Sequence, residues 1–194
     1  YLRGLAVKAV TEGAPLWIPM GLLHPDDEMA WPITDQFYLG EALLVAPVVT
    51  QSATDGLTTE RTVYLPAARF VPWLTDGDAS TGPQTLEVSV ALSDIPVYLK
   101  AGGLVPMTVE PAMTLRYAEG IADLSSTTGD RILHVGLGAD GHFEEEDGAS
   151  YTLTGSGITP LEVEISGDGT VQGDDWSLTL SGHSPERTTR VIAR

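Results

Sequence analysis

The 194-residue chain contains no cysteine. Disulfide frameworks and thiolate metal centres are therefore excluded, and nothing in the thiol content fixes a redox compartment. Basic charge is scarce: 10 Lys plus Arg stand against 27 Asp plus Glu, a formal net charge of −17. A nucleic-acid partner requires a basic footprint that displaces counterions from phosphates, so that class of partner is not expected. Long apolar runs are missing too. No stretch approaches the ~20 residues that a membrane-spanning helix needs, and no signal-peptide pattern is visible. The sequence also lacks a nucleophile-elbow serine, a phosphate-cradling glycine loop and an internal repeat of fixed period. Gly136-Leu137-Gly138 has neither the third glycine nor the helix that a dinucleotide site needs. The four histidines (His24, His134, His142, His183) are scattered without metal-ligand spacing, so neither a metal nor a cofactor is expected.

What is present is a change of structural grammar along the chain. Leu2, Leu5, Ala6, Ala9 and Val10 recur at helical spacing, and Gly13 and Pro15 stop that helix after about Glu12. A chain that opens at Tyr1, already inside a helical pattern, reads as the remainder of something longer. The apolar run Leu16 to Leu23 predicts a buried strand, followed by an exposed loop at His24-Pro25-Asp26-Asp27-Glu28. The run Asp35 to Val48 is the most informative stretch. Asp35 suits a helix N-cap, Gly40 suits a helix exit, and Leu43 to Val49 has the unbroken apolarity of a strand buried on both faces. Pro47 cannot donate to a sheet ladder, so that strand lies at an edge or ends there. Helix, strand, loop and helix in this order predict an α/β unit with a parallel sheet.

After Gly40 the pattern becomes one of short strands separated by Gly- and Asp-rich turns. Strands are expected at Thr62 to Leu65, Leu86 to Val90, Ile95 to Leu99, Arg131 to Val135, Ser150 to Leu153, Leu161 to Ile165 and Trp176 to Leu180. Turns are expected at Asp55-Gly56, Asp76-Gly77-Asp78 and Gly102-Gly103. Regular short strands without helical period argue for β-sandwiches, with a seam between two of them within Thr108 to Asp130.

The order of these motifs resembles the C-terminal part of a glycoside hydrolase family 31 enzyme, the α-glucosidase and α-xylosidase group. Tyr1-Leu2-Arg3-Gly4-Leu5-Ala6 and Gly13-Ala14-Pro15 resemble that family's last barrel helix and the turn into barrel strand eight. Pro25-Asp26-Asp27 and Asp35-Gln36-Phe37-Tyr38-Leu39-Gly40 resemble the loop and helix that close the barrel. Leu43 to Val48, Val63-Tyr64-Leu65-Pro66, Trp73 and Ile95 to Pro106 resemble the proximal C-terminal sandwich. Phe143 to Tyr151 resembles the acidic hairpin of the distal C-terminal domain. One position departs: the family usually has an arginine before the proline of barrel strand eight, whereas this chain has Ile18-Pro19.

The resemblance implies a mainly β chain in three parts. Residues 1–41 would be the C-terminal end of a (β/α)8 TIM barrel (helix, strand, helix), 42–107 a proximal β-sandwich and 108–194 a distal one. It implies hydrolysis of terminal α-glycosidic bonds with retention, in the α-glucoside or α-xyloside class. That chemistry needs two carboxyl groups about 5 Å apart, one as nucleophile and one as acid/base. The family places both on barrel strands before Tyr1, so no catalytic residue is expected within this chain, and the chain alone is expected to be inactive. The oligosaccharide or glycoside substrate would be met through the upstream barrel, and the distal sandwich could carry a homo-oligomer contact. The alternative is a carbohydrate-binding or assembly module without catalysis of its own.

Three side chains are candidates for a substrate pocket. Asp26 and Asp27 are adjacent on a loop after the expected barrel strand, where a carboxylate could meet sugar hydroxyls; a solvated turn or short-helix cap is the competing reading. Trp17 lies near the end of the same strand and could stack on a sugar ring, whereas Trp31, Trp73 and Trp176 read as core or interface anchors. Glu144-Glu145-Glu146-Asp147-Gly148 lacks the alternating oxygen ligands of a calcium loop and reads as a hairpin turn at Asp147-Gly148.

Overall fold

The structure is a computed structural model that describes residues 1–49, 58–73, 75, 77–91, 93–109 and 129–194. Its contacts divide it into two compact units. One holds Leu2 and Gly4–Gly103; the other holds Tyr1, Arg3 and Leu104–Arg194.

In the first unit, helix α1 (Leu2–Glu12) buries only Gly4 and Leu5, and Gly13 follows at φ +71°, the left-handed exit that glycine permits. Strands β1 (Trp17–Pro19), β2 (Phe37–Leu39), β3 (Leu43–Val45), β5 (Arg69–Pro72), β6 (Ser80–Thr81) and β8 (Val97–Lys100) form one sheet in the order β1-β2-β3-β8-β5-β6. The one-turn helix α2 (Met20–Leu23) separates β1 from the loop before β2. Strands β4 (Thr58–Leu65) and β7 (Gln84–Ala91) pair over eight residues as a separate ribbon. The core between these layers gathers Ile18, Met20, Tyr38, Leu44, Phe70 and Tyr98 with Val63 and Leu65 of β4.

Several sequence expectations are corrected here. Asp35 to Gly40 is not a helix. Phe37–Leu39 is a strand with alternating burial, Tyr38 inward and its neighbours half-buried, a period-2 pattern that three residues suffice to satisfy. Asp35 caps no helix; its carboxylate instead holds the Arg61 guanidinium at 2.8 Å. Leu16 to Leu23 is not one strand, since β1 gives way to α2 at Met20. β1 pairs antiparallel with β2, Ile18 opposite Tyr38. Residues 1–41 thus make no parallel barrel strand; the described chain is mainly β, and the TIM-barrel portion lies outside it. β3 ends at Val45, two residues before Pro47, and lies inside the sheet between β2 and β8 rather than at its edge. Its Leu43 and Leu44 are both buried, as a strand covered on two faces requires.

The second unit has two four-stranded sheets. One orders β13 (Leu161–Ser166), β16 (Thr188–Ala193), β10 (Arg131–Val135) and β9 (Leu104–Thr108); the other orders β11 (Gly141–Glu144), β12 (Ser150–Gly155), β15 (Trp176–Ser181) and β14 (Gly169–Gln172). All pairings are antiparallel except β10 with β16. Strict alternation puts Leu133, Val135, Val191, Leu153, Leu178 and Leu180 in the core, the β-sandwich pattern expected from the sequence. The Asp55-Gly56 turn, Asp76 and nearly all of the seam at Thr108 to Asp130 lie outside the described residues.

Candidate functional site

The loop between α2 and β2 holds two of the three sequence candidates, Asp26 and Asp27, and it is built from turns. His24 N–H closes α2 onto the Met20 carbonyl at 3.1 Å, Asp27 N–H bonds the His24 carbonyl at 3.2 Å, and Ala30 N–H bonds the Asp27 carbonyl at 3.0 Å. Two prolines, Pro25 and Pro32, bracket these turns. Asp27 Oδ1 accepts from Met29 N–H at 3.0 Å, the local hydrogen bond that makes aspartate a turn residue. Its Oδ2 accepts from the Tyr64 hydroxyl of β4 at 2.7 Å. Asp27 is therefore a brace between the loop and β4, with both oxygens committed. Asp26 is exposed in the same turn.

Around Asp27 the structure gathers groups that the sequence does not bring together. His24 Nε2 lies 3.0 Å from the Tyr38 hydroxyl, and Tyr38 is fully buried. Lys100 Nζ stands 5.6 Å above the Tyr38 ring centroid. Burial, and then the positive charge of Lys100, pushes the His24 pKa down, with Asp27 pulling weakly against them. Burial, with the negative charge of Asp27, pushes the Tyr38 phenol up. Burial, with the hydrogen bond to Asp27, pushes the Tyr64 phenol up to about 12. Burial also lowers Lys100, opposed by Glu41. At neutral pH the cluster is thus a neutral imidazole and two phenols that keep their protons. Each oxygen of its carboxylate accepts one hydrogen bond, from Met29 N–H and from the Tyr64 hydroxyl, an arrangement that suits bracing.

Trp17 is not in this cluster. It projects from β1 at 69% exposure, its ring 5.7 Å from that of Phe37 and tilted by 37°. Trp31 is equally open at 60% exposure, with Nε1 donating to the Pro25 carbonyl at 2.9 Å. Its ring lies against Gly21, where a Cβ would come within 2.7 Å, so that glycine is required by the close approach. Trp176, in contrast, is a buried core anchor. Ile18 is 9% exposed within the core cluster, so an apolar side chain fits the position where the family pattern has arginine.

A groove of about 440 Å³ runs beside the loop, lined among others by Met29, Ile33, Asp35, Gln36, Arg61 and Tyr64. Its polar walls largely satisfy one another. The buried Gln36 side chain exchanges two 2.9 Å hydrogen bonds with the Tyr64 backbone, and Arg61 Nη2 donates to the Asp35 carbonyl at 2.8 Å. No group of three or more His, Asp or Glu positioned for a metal occurs among the described residues.

The second unit carries a polar cluster that sequence reasoning missed. Glu145, in the acidic hairpin, is 11% exposed and accepts from Arg131 Nε at 3.0 Å and from the Tyr151 hydroxyl at 2.6 Å. Arg187 lies 3.7 Å from the same carboxylate and also pairs with Asp147. Burial opposes ionisation of Asp147, but the hydrogen bonds from Arg187 and from Ala149 N–H hold its pKa below the usual carboxylate range. The hairpin turns at Asp147-Gly148 with Gly148 at φ +85°, as its sequence indicates.

Residues 13–105 match the family model described as the glycosyl hydrolase family 31 C-terminal domain. The chain carries a family 31 C-terminal domain. Around this domain the likeness extends to alpha-glucosidase 2 of Bacillus thermoamyloliquefaciens, 26% identical over 98% of the chain and 24% of that protein. Neutral alpha-glucosidase AB of Mus musculus is 38% identical over 53% of the chain and 10% of its own length. Among solved structures, a family 31 alpha-xylosidase from Xanthomonas citri superposes on 100% of the chain and 23% of its own, with a TM-score of 0.65 at 23% identity, a likeness of fold. The chain spans a quarter or less of the length of the curated relatives it matches first. The family 31 domain thus covers the six-stranded sheet, the β4–β7 ribbon and the Asp27 brace alike.

Proposed function

We propose that the chain is the C-terminal β region of a retaining α-glycosidase, acting on α-glucosides or α-xylosides. In this reading it stabilises a catalytic (β/α)8 barrel carried elsewhere in the longer protein. Residues 1–41, whose β1 and β2 belong to the same sheet as β3 and β8, carry the docking face; the rest of the first unit, to Gly103, serves as the proximal sandwich, and the second unit, from Leu104, as the distal one. The observation that carries the reading is where apolar surface remains uncovered. Of the eleven large hydrophobic side chains exposed among the described residues, seven fall before residue 32: Leu2, Val7 and Val10 on α1, Trp17 on β1, Leu22 on α2, and Met29 and Trp31 in the turns that follow. A folded surface leaves such a concentration open where another structure covers it.

The nucleophile and the acid/base belong to that barrel. The candidate carboxylate with a defined geometry here, Asp27, has both oxygens engaged by Met29 and Tyr64. Trp17, Asp26 and Asp27 are then seam residues beside the substrate pocket rather than agents of bond cleavage. The purified chain is expected to leave p-nitrophenyl α-glucoside and p-nitrophenyl α-xyloside uncleaved, whereas the longer protein that contains it turns one of them over. Hydrolysis by the chain alone would overturn the proposal.

The open tryptophans also favour a second reading, a carbohydrate-binding module that stacks sugars on Trp17 and Trp31. Calorimetry with maltose, isomaltose and xylosides separates the two. Binding lost in Trp17→Ala would favour the module, and silence favours docking.

A further inference from the structure

The backbone of β4 has one edge in use and one open. β4 pairs with β7 in continuous register from Thr58 to Leu65. In an antiparallel ladder the N–H and C=O of one residue point to the same side, and the side alternates along the strand. Tyr64 fixes the phase. Its N–H donates to Gln36 Oε1 and its C=O accepts from Gln36 Nε2, both at 2.9 Å, so Tyr64 points away from β7. Thr62 and Glu60, two and four residues earlier, point the same way. Among the described residues no strand lies on that side, and the outward N–H and C=O of both residues have no partner. The Gln36 amide shows what this edge accepts, because it pairs with Tyr64 as a residue of a neighbouring strand would.

We propose that the Glu60–Thr62 edge of β4 is a strand-docking slot for an extended segment of the longer polypeptide, a contact that rests on the reading of this chain as part of such a protein. Main-chain hydrogen bonds to Thr62 and Glu60 hold that segment, as in other strand additions to an open sheet edge. The groove of about 440 Å³ beside the edge is lined by Arg61, Thr62 and Tyr64 of β4 and by the apolar Met29, Pro32 and Ile33 of the loop, so it takes an apolar side chain of the segment. Met29 also belongs to the open apolar set of the docking face, which makes the slot continuous with it. Charge defines the partner further. Arg61 is committed to Asp35, whereas the exposed Glu60 and Glu87 pair with no cation among the described residues, so a basic side chain fits opposite them. A second copy of this chain suits the slot poorly, because its net charge of −17 opposes those two glutamates.

Hydrogen exchange resolved to single amides, in the chain alone and in the longer protein, tests this. In the chain alone the Glu60 and Thr62 amides should exchange close to the unprotected rate, while those of Arg61 and Val63, which face β7, exchange slowly. In the longer protein both open amides should slow by at least about 100-fold. Glu60→Lys, at an exposed side chain, should reduce that slowing about tenfold by repelling the basic residue. Glu60 and Thr62 amides that exchange equally fast in the two samples overturn the proposal, and so does protection already present in the chain alone. Slowing that Glu60→Lys leaves unchanged overturns the basic partner. If Trp17 and Trp31 are shielded in the longer protein while Thr62 stays open, the slot fails and the docking face stands; if all three stay open, both fail.

Discussion

Replacing Glu145 by Gln removes one charge, keeps the shape and asks how much the distal sandwich depends on a largely covered anion. The carboxylate is 11% exposed, so solvent screens it little. It receives Arg131 at 3.0 Å and 3.3 Å, Tyr151 at 2.6 Å, and Arg187 at 3.7 Å. Breaking a buried pair by removing one partner costs about 3–5 kcal/mol, most of it from the charge left behind. Two features place this case at the lower end. Arg187 retains Asp147, and Arg131 retains the Gly129 carbonyl at 2.7 Å. The amide oxygen of glutamine can still accept from Tyr151. The expected loss is about 3 kcal/mol, which corresponds to roughly 150-fold faster exchange of the slowest amides in β12 and β15 at pH 7.5. Adding Arg131→Gln should cost less than its effect alone, because the pair is already broken. Exchange accelerated less than about fivefold in Glu145→Gln would refute the reasoning, since the carboxylate would then be no more than a surface charge.

Two further substitutions probe the packing. Leu44 is fully buried on β3 between Tyr38 of β2 and Tyr98 of β8, so Leu44→Ala should destabilise the first unit by about 2–5 kcal/mol in urea unfolding followed by far-UV dichroism. Gly155 has φ +107°, and a Cβ there would collide with the Asp175 carbonyl and approach Trp176 Cα to 2.8 Å. Gly155→Ala should therefore cost roughly 2–3 kcal/mol and lower the melting temperature, whereas alanine at the equally left-handed Gly148, which meets nothing within 4 Å, should cost less.

Elements with a strong period were legible in the sequence, and elements decided by distant partners were not. Helix α1 declared itself by its 3.6-residue spacing and its glycine exit, and the distal strands by alternation ended at Gly and Asp. Asp35 misled because the carboxylate that suits an N-cap equally suits an arginine. Its partner, Arg61, is 26 residues away and enters the site from β4. With that partner taken, Phe37–Leu39 was free to be a strand that buries Tyr38. Asp27 was found, but its role was not. Nothing local distinguishes a carboxylate open to substrate from one holding Tyr64, 37 residues further on. Glu145 was hidden more deeply, because a run of three glutamates before Asp147-Gly148 reads as a solvated turn. Only the approach of Arg131, Tyr151 and Arg187 draws the middle glutamate out of solvent, to 11% exposure. Ile18 was visible as a departure from the family pattern, and the core around it supplies the physical reason.

The central claim is that the open apolar side chains before residue 32 are covered by the rest of a longer polypeptide. Hydroxyl-radical footprinting read by mass spectrometry addresses it at single residues, with Trp17, Met29 and Trp31 as the reporters and buried Trp176 as the reference. The account predicts heavy oxidation of the three reporters in the isolated chain and strong protection in the longer protein, with Trp176 little modified in both. Equal oxidation of Trp17, Met29 and Trp31 in the two samples would contradict it.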